Sequence, residues 1–192
     1  MIEIFDNILP QDIEDFFANT HCDPFFPWYV QMSSAGEDAI FDYPVIDTPQ
    51  FTHVAYFDNK SNSSITEDYI KIAQNLLGDD FELHRIKANL TTNHSGYTKD
   101  NYQPVHTDLD ELNYYSILYY INDSDGDTLF FKDTDIIKRV TPKKGRCVIF
   151  NSNIPHAGSN PIITPFRMVV NIILKVDKQE KFIYNNLKGK QI

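Results

Sequence analysis

The spacing of apolar positions changes once along the chain, near Phe81. Before that point it is helical. Ile13, Phe16 and Phe17 recur at three- and four-residue intervals, and Pro10, Asp12 and Glu14 put a proline and two acids in the first turn of a predicted helix. Ile65, Tyr69, Ile72, Ala73 and Leu76 repeat the period, with Ser64 or Thr66 as a cap and Gly78 as a stop. After Phe81 the period is two. "FELHRIKANL", "YYSILYYI", "TLFF", "RCVIF" and "FRMVVNIIL" are β-branched or aromatic runs that predict short strands. "NDSDGD" and "TPKKG" supply turns between them. Residues 21–63 follow neither period and read as irregular.

Five or more short strands after two helices predict a mainly β fold with packed helices (α+β), a jelly roll or sandwich with the helices on one sheet. No composition break divides the 192 residues, so one domain is expected over 1–192, with a helical part at 1–80 and a jelly-roll core at about 81–176. A net charge of −10 opposes a phosphate-rich partner, which makes nucleic acid an unlikely one. The basic stretch Lys138, Arg139, Lys143, Lys144 and Arg146 is expected on a solvated hairpin. The N-terminus carries acids where a signal peptide has positive charge, and no apolar run is long enough to span a membrane. With two cysteines, the expectation is a reduced, cytoplasmic protein. Abundant Asn, Lys, Ile and Tyr match AT-rich coding, as in a phage genome.

Two His-x-Asp pairs occur, and chance alone readily produces such a pair. His21-Cys22-Asp23 has no strand behind it and reads as structural. His106 and Asp108 sit on the lip of the predicted strand "YYSILYYI", where residues two apart point the same way. A charged Asp there needs a cationic partner. His156 follows the strand "RCVIF" and offers a third ligand. Two imidazoles and one carboxylate leave half an octahedron open, the facial arrangement of non-haem Fe(II) sites, and zinc accepts the same donors. Arg167 lies within an apolar strand. Parity puts it on one face with Val169 and Asn171, and its guanidinium fork suits a carboxylate-bearing ligand.

In order, His106-x-Asp108, "YYSILYYIN", "GDTLFF", "PKKGRCVIF", His156 and Arg167 resemble the 2-oxoglutarate- and Fe(II)-dependent oxygenases of the prolyl 4-hydroxylase type. "FDNILPQDIEDFF" is similar to the N-terminal strand-helix of that family. The resemblance implies a double-stranded β-helix with Fe(II) on His106, Asp108 and His156. It further implies 2-oxoglutarate bound to the metal and to Arg167, O2 as oxidant and ascorbate as reductant. Tyr120 matches a position whose hydroxyl contacts the distal carboxylate of 2-oxoglutarate. Asn89 and Asn93 share a strand face toward the same pocket. The expected reaction is hydroxylation of a C–H bond in a small-molecule or peptide substrate, with a peptidyl proline as one candidate. One departure from the family pattern is Asp125-Gly126-Asp127, which stands where a double glycine is usual. A metal hydrolase would leave Arg167 without a purpose, and a non-catalytic jelly-roll module would need neither the three ligands nor the arginine.

Overall fold

Thirteen elements follow one another in the computed structural model, which describes residues 1–33 and 45–176. They are β1 (Ile2–Phe5), α1 (Gln11–His21), β2 (Tyr29–Gln31), β3 (Gln50–Phe57), β4 (Lys60–Ser61), α2 (Thr66–Leu77) and β5 (Glu82–Thr92). The remainder are β6 (Tyr114–Tyr120), β7 (Thr128–Lys132), β8 (Asp135–Val140), β9 (Cys147–Asn151), β10 (His156–Gly158) and β11 (Phe166–Lys175). The larger sheet runs β1-β9-β6-β11-β5-β3-β2, with β4 paired to β3, and the smaller runs β10-β7-β8. All their pairings are antiparallel.

Alternation divides the larger sheet into two unlike faces. Met168, Val170 and Ile172 of β11, with Ile117 and Tyr119 of β6, pack against Phe17 of α1 and Tyr69, Ile72 and Leu76 of α2. The opposite face turns toward the smaller sheet. There Leu118, Tyr120, Val148, Phe150 and Val169 meet Phe130 and Val140. This second core is small because the rest of the inner face, on β5 and β11, is polar and lines a cavity.

Both helices form where the spacing predicts, with different details. In α1 the inward side is Glu14, Phe17 and His21, while Phe16 is exposed. Residues 14, 17 and 21 fall on one helical stripe, and Phe16 is a turn of about 100° away from Phe17. Pro10 stands just before the helix as its N-cap. No side chain caps α2; Ile65 holds that position, and the Thr66 hydroxyl instead bonds the Ala55 and Ser63 carbonyls, both at 2.8 Å. Gly78 does end α2, at φ 73°.

The segment 21–63 is not wholly irregular. It contains β2, β3 and β4, and β3 pairs with β5 along Phe51–Phe57. The part expected to be helical, 1–80, therefore also supplies four strands. Positions 34–44 of that segment, and the tail after 176, lie outside the described residues. Among the described residues no helix is long and apolar enough to cross a membrane.

Candidate metal centre

His106 lies in the segment leading into β6, and His156 opens β10. The two backbones bond reciprocally: the His106 N–H donates to the His156 carbonyl at 3.0 Å, and the His156 N–H to the His106 carbonyl at 2.9 Å. The Asp108 N–H donates to the Ser152 carbonyl at 2.9 Å. One ligand atom from each of His106, Asp108 and His156 lies within 4.8 Å of the others. Each imidazole is fixed through Nδ1, which is 3.1 Å from the Pro104 carbonyl in His106 and 3.0 Å from the Ile154 carbonyl in His156. A carbonyl only accepts, so Nδ1 carries the proton and Nε2 keeps its lone pair for a metal. Burial, followed by the charge of His156, pushes His106 down to about 4, which leaves it neutral near pH 7.

Asp108 is nearly inaccessible. Burial alone would raise its carboxyl. The charges of His156, Arg85 and His106 and a bond from Ser116 outweigh burial and bring it down to about 2. Oδ2 accepts from the Ser116 hydroxyl at 2.6 Å, and Oδ1 accepts from Arg85 at 3.0 Å. Asn171 Nδ2 donates to both oxygens, at 3.0 and 3.2 Å. The carboxylate is thus ionised and held by three side chains, as a metal ligand requires.

The ligands stand at one end of a cavity of about 290 Å³. Arg85, Lys87, Asn89 and Thr91 of β5, and Arg167, Val169 and Asn171 of β11, face into it. Arg167 is buried without a carboxylate partner among the described residues. It donates to the Thr128 hydroxyl at 2.7 Å, and its guanidinium lies 5.6 Å from the centre of the Tyr120 ring. Arg85 Nε, Asn89 Oδ1, Thr91 Oγ1, Arg167 Nε and Asn171 Oδ1 are buried with no hydrogen-bond partner, and all five residues line this cavity. Such orphaned atoms are costly, and here they mark a place built to meet a polar ligand.

The cavity brings together His106, Asp108, His156, Arg167, Asn171 and Asn89. Tyr120 is different. Its hydroxyl is 2.7 Å from Thr128 Oγ1, and it lies behind Thr128 and Arg167 instead of lining the cavity, because Thr128 of β7 intervenes. Asn171 does line it, yet its amide nitrogen is engaged with Asp108, which leaves only Oδ1 toward the cavity. Asn93 bonds the Ile162 carbonyl at the surface. His21 is buried between the Phe17 carbonyl and the Tyr69 hydroxyl, so the first His-x-Asp pair is structural. Arg85, Lys87 and Thr128 were not singled out in the sequence. The two-residue spacing of Arg85 and Lys87 with Asn89 carried the signal, and basic residues on a strand read more readily as a wet face.

The unusual Asp125-Gly126-Asp127 loop is well built. Asp125 accepts the backbone N–H groups of Ile162, Ile163 and Thr164 at 2.9–3.0 Å. At Gly126 a Cβ would lie 2.5 Å from the Ser159 carbonyl oxygen, so only glycine permits this approach.

Residues 90–175 match the family model for the 2OG-Fe(II) oxygenase superfamily. No curated protein matches the chain in sequence. Solved structures share its fold. An oxidoreductase of the 2OG-Fe(II) oxygenase family from Burkholderia pseudomallei superposes with a TM-score of 0.66 at 10% identity, over 91% of this chain and 84% of that one. A prolyl-4-hydroxylase from Pseudomonas putida gives 0.54 at 15% identity, over 91% and 92%. The epimerase SnoN from nogalamycin biosynthesis, solved with Fe3+, alpha ketoglutarate and nogalamycin RO, gives 0.59 at 14% identity, over 91% and 78%. At such identities the likeness is one of fold, a double-stranded β-helix.

Proposed function

We propose that the chain is a 2OG-Fe(II) oxygenase, an oxidoreductase, and that it hydroxylates a C–H bond of a small-molecule or peptide substrate. His106, Asp108 and His156 would hold Fe(II), and Arg167 would receive the far carboxylate of 2-oxoglutarate. Iron, 2-oxoglutarate and O2 supply the oxidising chemistry, with ascorbate keeping the iron divalent, and the protein supplies orientation. The observation that carries this reading is a cavity with three metal donors at one end and a buried, acid-free arginine at the other. Arg167 and Asn171 are four residues apart on β11, about 13 Å along the strand, the first held by Thr128 and the second on Asp108.

The chain's own residues have separable tasks. Pro104 and Ile154 carbonyls orient the imidazoles. Ser116, Arg85 and Asn171 keep Asp108 ionised and directed. Tyr120 and Thr128 brace Arg167, and the Thr128 hydroxyl, which accepts from both, keeps its own proton to donate. A hydrolase would need a general base. Asp108 is the sole carboxylate among the described residues that line the cavity, and it is fully engaged. The lining is polar apart from Leu118, Val169 and Gly158, which gives a peptidyl proline no particular support.

Adding Fe(II), ascorbate and 2-oxoglutarate without oxygen tests this reading through the weak visible charge-transfer band of the chelated metal. Wild-type protein should develop the band and His106→Ala should not. Arg167→Ala should need at least about tenfold more 2-oxoglutarate, because a buried charge-assisted pair is lost. A wild-type protein that neither gives the band nor binds 2-oxoglutarate would overturn the proposal.

A further inference from the structure

The cavity holds more positive charge than its metal and cosubstrate use. Arg85, Lys87 and Arg167 face one carboxylate, Asp108. A divalent ion and a dianionic 2-oxoglutarate cancel each other and leave that excess in place. Arg85 is paired with Asp108 and Arg167 belongs to the far end, so the cation without an assignment is Lys87. Its ammonium has no hydrogen bond or ion pair among the described residues, although the chain carries 27 acids against 17 lysines and arginines. A half-buried lysine set in a cavity wall beside an arginine is costly unless an anion meets it.

Its place in the sheet says which ligand that anion belongs to. Lys87 is paired across the β5–β11 ladder with Asn171, the residue that grips Asp108, whereas Arg167 is paired with Thr91. Lys87 therefore stands at the level of the metal ligands and away from the arginine end. Across β3 and β2 the cavity wall continues with Gln50 and its partner Gln31, which lie one residue beyond the Phe51–Leu90 pair, on the Thr91 side of Lys87.

Resting on the oxygenase reading, we propose that the substrate is an acid whose oxyanion group, a carboxylate or a phosphate, seats on Lys87 beside the metal. Arg85 adds to the local field.

The test uses Co(II)-loaded protein saturated with N-oxalylglycine, an unreactive analogue of 2-oxoglutarate, so that the metal and the arginine end are filled. Benzoate, phenylphosphonate and the neutral benzamide are then titrated, with calorimetry and the visible cobalt bands as readouts, into wild type, Lys87→Gln and Lys87→Arg. At least one anion should bind wild type and benzamide should not. Lys87→Gln should weaken that anion about tenfold or more, and Lys87→Arg should restore much of it. N-oxalylglycine affinity should stay within about twofold in both variants, which a general disturbance of the site would not allow. Failure of both anions to bind wild type, or equal binding by Lys87→Gln, overturns the proposal. So does parallel loss of N-oxalylglycine in Lys87→Gln, which would assign Lys87 to the cosubstrate. If wild-type cobalt protein does not bind N-oxalylglycine at all, the oxygenase reading itself fails and the substrate proposal falls with it.

Discussion

His21 hydrogen-bonds through both ring nitrogens, at 2.7 Å to the Phe17 carbonyl and at 2.5 Å to the Tyr69 hydroxyl. The carbonyl accepts, so Nδ1 holds the proton and Nε2 must accept from the tyrosine. Burial pushes this imidazole down to about 4. In the unfolded chain it takes a proton near 6.5, so the unfolded state binds more protons between the two values. The stability His21 contributes is complete above about pH 6.5 and is lost as pH falls toward 4, by up to about 3 kcal/mol. Urea unfolding at pH 7 and pH 5 should show the decline, and His21→Gln should flatten it; equal slopes would place its origin elsewhere. His106 is half-buried and likewise held neutral by desolvation, but its Nε2 has metal ligands beside it instead of a tyrosine hydroxyl. The two His-x-Asp pairs were separable in the sequence because only one precedes a strand, and a strand start aims both side chains to one side.

Strand β11 was the most legible element. Its alternation puts Arg167, Val169 and Asn171 on one face and Met168, Val170 and Ile172 on the other; the structure turns the first set toward the cavity side and packs the second against the helices. Strand β5 is half legible: the run is clear, but the place of Arg85 and Lys87 is not, since sequence alone does not distinguish a wet outer face from a polar cavity. β8 and β10 are not legible, because one is mostly exposed with no clean alternation and the other has three residues. The Asp125–Asp127 loop departs from the family pattern in sequence and keeps a tight approach in structure. Gly126→Ala should force the Ser159–Pro161 loop outward and cost about 1–3 kcal/mol. That loop follows Gly158, which lies against the Arg167 guanidinium, so the variant should also weaken 2-oxoglutarate binding. Thermal melting and a 2-oxoglutarate titration check both effects; an unchanged melting temperature would contradict the packing argument.

For the molecule as a whole, binding should be visible as stability. Five orphaned polar atoms, with Lys87 and Arg167, sit in one cavity between the two sheets, so filling it removes a cost that the empty fold carries. At about a hundredfold over Kd, a ligand adds about 2.7 kcal/mol, which corresponds to about 5–10 °C in Tm for a domain of this size. Metal and 2-oxoglutarate together should raise Tm by at least that much, and a chelator should reverse the gain. Arg167→Ala should keep the metal's share and lose the cosubstrate's. A Tm indifferent to both would mean that the cavity is not their site. The reciprocal backbone bonds between His106 and His156 have a further consequence for the life of the protein in a cell. They set the distance between the imidazoles before any ion arrives, so every ion of similar size finds the same ready cage. Affinity among first-row divalent ions then follows their natural order, in which iron stands below cobalt, nickel and copper. Supply therefore chooses the occupant: where iron is scarce, the same fold fills with a competitor and falls silent without unfolding.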